Sequence, residues 1–291
     1  MTFISYAQNL EDVLLWRALG NIDGGFYIDV GANDPEQDSV TKAFYERGWR
    51  GVNIEPLPGH HQALVAARTR DINLAVALGA KDEGELTLYD VPSVRGWASL
   101  SRDVAAKHAE EGHEVVESRV PVRTLTSICN EYVTGEIHFL KIDVEGFESE
   151  VIKGMDFERW RPWIVIIEAT QPNSSVPSYE EWEPLIVDYG YSFAYFDGLN
   201  RYYISAEHNE LASDFSVQPN VFDDYATIGQ IRASQWVQEY REKAEEYRIK
   251  AERYETDLSA LYNSASWKLT KPIRFIGKLI KYFLFPSRLD K

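Results

Sequence analysis

Two short apolar runs, each followed by a small polar signature, constrain the fold of this chain more than any other feature. Residues 26–30 run into Gly31-Ala-Asn33, and residues 51–54 run into Glu55. In α/β sheets the turn after such a first strand passes close to a nucleoside, and the acid after the second strand accepts hydrogen bonds from ribose hydroxyls. The pairing predicts a cofactor-binding unit, with an ordinary strand-turn-helix corner as the alternative.

The glycine content of the first turn indicates which cofactor fits. Asp29-Val-Gly31-Ala-Asn33 lacks the second and third glycines of G-x-G-x-x-G, which let the backbone approach a pyrophosphate. A phosphate-free nucleoside such as S-adenosylmethionine (SAM) fits better, with Asp29 near its cationic methionine part. An NAD-dependent sugar oxidoreductase is therefore a disfavoured alternative.

Further along, apolar runs of strand length alternate with longer amphipathic stretches. This alternation predicts βαβ units and a mostly parallel sheet, and the last two runs flank a short polar turn that predicts an antiparallel hairpin at the sheet edge. The order of elements is typical of an α/β, Rossmann-like class I methyltransferase. Beyond the first two strands, we predict strands at 72–78, 137–142, 163–167, 191–196 and 201–204.

Four segments together resemble the FkbM family of methyltransferases. They begin at Ser5, Tyr27, Phe44 and His138 and read SYAQNLEDVLL, YIDVGANDP, FYERGWRGVNIEP and HFLKIDVEGFE. The combination is much more specific than any one segment, and with IVIIEAT from Ile164 it covers the chain from Ser5 to about residue 204. The resemblance implies SAM-dependent methyl transfer, most often to a hydroxyl oxygen on a sugar or polyketide-type acceptor.

Acidic residues at strand ends match the chemistry of methyl transfer. Asp143 ends a buried apolar run, Glu145 lies in the loop beyond it, and Glu168 ends the next run. The reaction needs donor and acceptor aligned and the acceptor proton removed. Because ligands bind outside the carboxyl ends of strands, these acids should face one crevice. We predict all three as catalytic, with Asp143 or Glu145 as the base.

The resemblance also implies the cofactor contacts. A helix that includes Val13-Leu-Leu-Trp16 should cover the cofactor, whereas the pattern alone favours an amphipathic helix with a solvated polar face. The residues predicted to bind SAM are Gln8, Asp29, Gly31, Asn33 and Glu55.

Two other interpretations of the acids stay open. An acid just past a strand often accepts hydrogen bonds from the next helix's N–H groups. Converging carboxylates also hold divalent cations, which take oxygen ligands, but the spacing defines no ligand set and leaves the metal unknown.

A charged segment at 90–119 lies where a class I sheet commonly carries an acceptor-binding insert. It contains Arg95 and Trp97 near its start. Trp97 either stacks on a sugar face or packs internally.

Composition bounds the class of protein. The chain has 291 residues, 44% of them hydrophobic, which is enough for one sizeable domain and an appendage. The single cysteine, Cys129, fits a reducing compartment, and no signal peptide or apolar run of membrane-spanning length is apparent. A net charge of -16 argues against a nucleic-acid partner.

Residues 233–261 are nearly free of glycine and proline and follow a heptad pattern. The pattern predicts a coiled coil with a weak, aromatic seam, and the alternative is a single solvated helix with Glu and Lys pairs. The two rows of the seam are Val237, Ala244, Ala251 and Leu258, and Tyr240, Tyr247, Tyr254 and Leu261.

The last thirty residues carry the opposite charge from the rest. Residues 262–291 sum to +6 and the preceding 261 residues to -22. An apolar stripe opposite a basic stripe is typical of a helix lying in the interface of an anionic membrane. The alternative is a helix that docks on the enzyme's own acidic body or in a partner's groove. The apolar stripe is Ile273, Ile276, Leu279, Ile280 and Phe283, and the basic stripe is Lys271, Arg274, Lys278 and Lys281.

These observations predict three parts: a SAM-dependent methyltransferase domain at 1–225, a coiled-coil helix at 226–262 and a basic membrane-associating tail at 263–291. The stretch from Ser266 to Arg274 resembles the tails of bacterial enzymes that build surface polysaccharides. We therefore expect a bacterial O-methyltransferase of a sugar hydroxyl on a surface glycan or its lipid-linked precursor, cytoplasmic and peripheral on the inner membrane face. The non-enzymatic alternative is a scaffold that recruits other glycan-assembly enzymes through the coiled coil and tail.

Overall fold

In the computed structural model of this protein, strands and helices alternate through most of the chain. The structure describes residues 2–82, 84–94, 96–172 and 174–284. In chain order the strands are β1 Phe3–Ser5, β2 Phe26–Val30, β3 Arg50–Ile54, β4 Ile72–Leu74, β5 Ala77–Leu78, β6 Glu85–Asp90, β7 Val116–Arg123, β8 Phe139–Ile142, β9 Ile164–Glu168, β10 Tyr191–Phe196, β11 Asn200–Ser205 and β12 Tyr225–Thr227. The α-helices are α1 Glu11–Leu19, α2 Lys42–Glu46, α3 Pro58–Ala67, α4 Arg102–Glu110, α5 Leu125–Tyr132, α6 Glu148–Lys153, α7 Pro184–Val187, α8 Ile228–Asn263, α9 Ala265–Leu269 and α10 Lys271–Leu284. Residues up to Ile228 form one compact unit, and residues from Gly229 onward form a second.

Seven strands form the main sheet, in the order β10-β11-β9-β8-β2-β3-β4. The five strands from β9 to β4 run parallel, whereas β11 is antiparallel to both β9 and β10. The mixed α/β architecture predicted from the sequence is confirmed, and the predicted hairpin lies at the sheet edge. Because the parallel strands end at one edge, the residues that follow β2, β3, β8 and β9 meet there.

Both faces of the main sheet are buried. Along β8, Phe139 packs into the core beneath α1 and α2, whereas Leu140 and Ile142 pack into the core beneath α5, α6 and α7. Successive strand residues point to opposite faces, so a strand covered on both sides reads as a continuous apolar run. This is why the short apolar runs of the sequence fall on the strands at the centre of the sheet.

The predicted strand at 72–78 is wrong, because the chain forms two strands there. β4 extends the main sheet beside β3, whereas β5 pairs with β7 in a separate sheet. The chain passes from one sheet to the other at residues 75–76. A continuous apolar run does not reveal this change, because both strands are apolar.

The second sheet has the order β5-β7-β6 and packs on its own small core. β6 and β7 are antiparallel and enclose α4 between them in the sequence. The charged segment at 90–119 therefore contains a helix and half of a strand. Arg95 lies outside the described residues.

The C-terminal unit is helical throughout its described part. α8 includes the whole predicted heptad segment, and no residue along it is buried. α9 and α10 follow, and the apolar residues of α10 are exposed. The coiled-coil pairing of α8 stays a prediction, and residues 285–291 of the predicted tail lie outside the described residues. Among the described helices, none has both the length and the apolar character needed to cross a bilayer.

Candidate active site

A cavity of about 360 Å³ opens at the carboxyl ends of the parallel strands. Its size is within the range of small-molecule sites, which span about 300 to 1,000 Å³. The small sheet forms part of its apolar wall through Leu78 and Leu88. Of the residues predicted from the sequence, the cavity is lined by Gln8, Gly31, Asn33, Glu55, Asp143, Glu145 and Glu168.

Glu55 follows β3 and lies between two backbone amides. The N–H of Asn33 donates to one carboxylate oxygen (2.9 Å) and the N–H of Leu57 to the other (2.7 Å). Burial raises the pKa of Glu55 to about 7, although these two amides oppose the shift. Each carboxylate oxygen can accept a further hydrogen bond, so Glu55 is oriented by the protein and still able to bind a donor in the cavity.

Asn33 lies in the turn after β2 with a left-handed backbone, at φ 50°. Its side-chain oxygen Oδ1 is buried and makes no hydrogen bond with the described residues. Because a buried polar atom without a partner is costly, this oxygen fits a hydrogen-bond donor supplied by a ligand.

Glycine is required at position 31 for a different reason from the one predicted from the sequence, which was close approach to a nucleoside. A Cβ atom at this position would lie 1.8 Å from the backbone oxygen of Asp143, and φ is +76°. The absence of a side chain thus lets the turn after β2 approach the chain that follows β8. Gly31 lines the cavity as well.

Asp29 lies beneath the cavity and does not line it. The Asp29 carboxylate is 2% exposed, accepts a hydrogen bond from the hydroxyl of Thr41 (2.9 Å), and lies 3.5 Å from Nζ of Lys141. The same Nζ is 3.1 Å from Oδ2 of Asp143. Asp29 therefore holds a buried lysine that pairs with an acid of the site, and its predicted direct contact with cofactor stays untested.

Lys141 lines the cavity but was not predicted as a site residue from the sequence. Burial opposes its charge, but the carboxylates of Asp143 and Asp29 outweigh this and raise the pKa of Lys141. A lysine inside an otherwise apolar strand could have indicated a site residue from the sequence, because lysine is almost never buried without a partner.

Three carboxylates meet at the ends of β8 and β9. Asp143, Glu145 and Glu168 each place one oxygen within 4.8 Å of the others. About a third of the Asp143 side chain is exposed, whereas Glu168 is buried. Burial, and then repulsion from Asp143, raises the pKa of both Glu145 and Glu168. The structure therefore brings together the three residues predicted to be catalytic.

The loop between β8 and α6 is fixed by hydrogen bonds from its own backbone. Glu148 accepts from the N–H groups of Val144 (3.2 Å) and Gly146 (3.0 Å), and the hydroxyl of Ser99 donates to the backbone oxygen of Glu145 (2.7 Å). Glu148, the first residue of α6, thus accepts from the loop that precedes its own helix. Glu145 itself has a left-handed backbone, at φ 53°.

Trp97 lines the cavity and also packs internally. Its ring stacks on that of His108, with centroids 4.5 Å apart, and meets the ring of His113 edge-on at 5.1 Å. The interpretation of Trp97 as a packing residue is thus confirmed. A sugar stacking on its other face stays a prediction.

The N-terminal segment places Gln8 in the cavity wall by means of two buried acids. Asp12 accepts hydrogen bonds from the hydroxyl of Ser5 (2.7 Å) and the N–H of Tyr6 (2.8 Å). Glu11 accepts from the side-chain amide of Asn200 (3.0 Å). The alternative of a solvated polar face is wrong for Glu11 and Asp12, because both are buried.

The buried Glu11 predicts that the ligand-free protein becomes less stable as the pH rises. Burial, followed by repulsion from Asp197, raises the pKa of Glu11 from 4.5 to about 7. The folded state therefore keeps this proton up to about pH 7 while the unfolded chain releases it near 4.5, so stability falls across this window, by roughly 3 kcal/mol at most. Thermal unfolding at pH 5.5 and 8 should show a higher midpoint at the lower pH.

Glu11→Gln should reduce this pH dependence, because the amide does not titrate. Glu158→Gln is the matched control, since Glu158 is exposed and lies outside the cavity. Equal pH dependence in wild type and Glu11→Gln would contradict the assignment.

Comparison with known families agrees with this geometry. The model of the methyltransferase FkbM domain matches residues 29–193, more than half of the chain. The chain belongs to the FkbM methyltransferase family. The match runs from the last two residues of β2 to beyond β9 and includes every predicted site residue except Gln8.

Two fungal proteins are similar to this FkbM methyltransferase. "Methyltransferase 1" of Beauveria bassiana (strain ARSEF 2860) is 28% identical over 127 residues, which cover 43% of this chain and 49% of that protein. "Methyltransferase sdnD" of Sordaria araneosa is 27% identical over 186 residues, covering 53% of this chain and 70% of that protein. The chain thus spans about half the length of the first relative, and both names state methyl transfer without an acceptor.

Proposed function

We propose that this protein is a SAM-dependent O-methyltransferase. The observation that carries the proposal is a single cavity at the strand ends, lined by Glu55 after β3 and by three carboxylates at the ends of β8 and β9. The strand order, with a parallel centre and an antiparallel edge, supports a Rossmann-like class I methyltransferase fold.

The cofactor side of the cavity has groups that fit a nucleoside. Glu55 is an oriented acceptor for ribose hydroxyls, and the unpaired Oδ1 of Asn33 is an acceptor for a further donor. Gln8 lines the same cavity from the N-terminal segment. Bound SAM supplies a methyl group on a positively charged sulfur, which suits a cavity lined by acidic side chains.

The acceptor side has groups suited to a hydroxyl. A hydroxyl has to lose its proton as its oxygen bonds to the methyl carbon, and a carboxylate within hydrogen-bond reach can take that proton. Asp143 and Glu145 both line the cavity beyond β8, and Lys141 fixes one oxygen of Asp143. We propose Asp143 as the base, with Glu145 as the second candidate and Glu168 as their neighbour.

The acceptor we propose is a sugar hydroxyl, on a surface glycan or its lipid-linked precursor. Trp97 in the cavity wall supports this, since aromatic rings and sugar faces stack. The basic, apolar helix α10 supports a position at the cytoplasmic face of an anionic membrane, where lipid-linked precursors lie. The resemblance of residues 266–274 to the tails of bacterial polysaccharide enzymes is the basis for the bacterial setting, and the two fungal relatives give no support for it.

Calorimetric titration tests the cofactor proposal. We expect SAM to bind the full-length protein with one site per chain and NAD to give no binding heat. Glu55→Ala should weaken SAM binding about 10- to 150-fold, because a hydrogen bond to a charged group contributes about 1.5 to 3 kcal/mol. Glu55 is a better choice than Asp29, since removing Asp29 would leave the buried Lys141 without one of its partners.

The control is Glu158→Ala, which should bind SAM as the wild type does. Thermal unfolding of Glu55→Ala checks that the fold is kept. Binding of NAD in place of SAM, or equal SAM affinity in wild type and Glu55→Ala, would reject the cofactor assignment.

A further inference from the structure

We propose that Asp143, Glu145 and Glu168 bind one divalent cation, and that the acceptor hydroxyl coordinates to it. Their nearest oxygens lie within 4.8 Å of one another, which lets all three bond to a common ion. Divalent cations such as Mg²⁺ and Ca²⁺ take carboxylate oxygens at about 2.0 to 2.6 Å. The role of the acceptor rests on the proposed function, whereas the cation site stands on this geometry alone.

Two buried oxygens in the same cavity support a ligand at this place. Glu168 is 8% exposed, and its Oε2 accepts no hydrogen bond from the described residues. Thr170, two residues later, is 4% exposed, and its hydroxyl makes no hydrogen bond within the described part of the chain. Both residues line the cavity. Because buried polar atoms without partners are costly, both oxygens are expected to meet a ligand.

The local charge also favours a cation. Lys141 is the nearby positive group, and its Nζ is shared between Asp143 (3.1 Å) and Asp29 (3.5 Å). Glu145 and Glu168 have no ion pair among the described residues. A divalent cation at the three oxygens would compensate the carboxylates of Glu145 and Glu168, with which Lys141 forms no ion pair in the described part of the chain.

The occupied site would also position the acceptor. Three carboxylates leave coordination positions open, because Mg²⁺ takes near-octahedral geometry and keeps waters or substrate oxygens in the remaining places. A sugar hydroxyl in one of these places is held at the ends of β8 and β9, two and three strands away from β3 and Glu55. Coordination also makes a bound oxygen more acidic, which suits a hydroxyl acceptor. Because a carboxylate has about four lone-pair positions, Asp143 can bind the cation and Lys141 and still accept the proton of that hydroxyl.

Binding of Mn²⁺ to the full-length protein tests the site without requiring activity. Electron paramagnetic resonance of free Mn²⁺ should show one bound ion per chain, displaced by excess Mg²⁺. Glu168→Gln and Asp143→Asn should each weaken Mn²⁺ binding by about tenfold or more, because each removes a charged oxygen ligand. Glu158→Gln, an exposed acid outside the cavity, should bind Mn²⁺ like the wild type.

Thermal unfolding shows whether each variant is folded. If either Glu168→Gln or Asp143→Asn does not fold, the other variant still tests the site. No stoichiometric Mn²⁺ binding by the wild type, or equal Mn²⁺ affinity in wild type and both folded variants, would overturn the cation site. A SAM titration on the same samples separates the two proposals. Mn²⁺ binding without SAM binding keeps the cation site and rejects the methyltransferase assignment, and SAM binding without Mn²⁺ binding does the reverse.

Discussion

Replacing Asp143 by asparagine should reduce the turnover of methyl transfer by about 10²- to 10⁴-fold, the usual contribution of a positioned base. Asn has nearly the same shape as Asp but cannot take up the acceptor proton. Asp143 is the site carboxylate that both reaches solvent and pairs with Lys141, so it is oriented and accessible at once. SAM affinity should change little, because Glu55 follows β3, which lies two strands away from β8 in the sheet.

The measurement uses SAM with a labelled methyl group and a panel of sugars and lipid-linked sugars as acceptors. Glu145→Gln is measured beside Asp143→Asn to identify which acid is the base, and Asp188→Asn is the control, because Asp188 is exposed and outside the cavity. Normal turnover by both Asp143→Asn and Glu145→Gln would mean that neither residue is the base.

Much of the fold was predictable because the central strands are buried on both faces. A run such as Ile164–Glu168 is apolar at every position except its last, and the predicted strand at 163–167 differs from it by one residue at each end. The second sheet was not predictable in this way. β6 and β7 are partly exposed and polar, and β5 continues the apolar run of β4 although it pairs elsewhere. Pairing partners far apart in sequence leave no trace in local periodicity.

The site was predictable to the extent that its residues follow strands. Asp143, Glu145 and Glu168 come together because parallel strands end at one edge, and strand limits alone indicate that. The sequence did not indicate which of these side chains line the cavity and which lie beneath it. Asp29 does not line the cavity, whereas its register partner Lys141 does, because the register between neighbouring strands decides where each side chain ends.

Removing the C-terminal tail should abolish membrane association, which we expect to be the largest effect outside the catalytic cavity. The described tail carries Lys268, Lys271, Arg274, Lys278 and Lys281. Each basic residue near an anionic surface contributes about 1 kcal/mol, so their loss should reduce vesicle binding by about 10³-fold. Arg274 contributes less, because its guanidinium lies 3.6 Å from the centre of the Trp267 ring and donates a hydrogen bond to the backbone oxygen of Trp267.

Sedimentation with phosphatidylglycerol vesicles measures this effect on the full chain and on a chain truncated after Leu261. The truncated protein should stay in solution and keep its SAM affinity, because the residues that line the cavity all precede the tail. Two full-length variants separate the forces. Replacing Lys271, Lys278 and Lys281 by glutamine should remove the salt-sensitive part of binding, whereas Ile276→Ser with Ile280→Ser should remove the part that persists in high salt. Equal vesicle binding by full-length and truncated protein would reject the membrane role and favour α10 as a helix that docks on a protein surface, since only a lipid-bound tail makes sedimentation depend on both stripes.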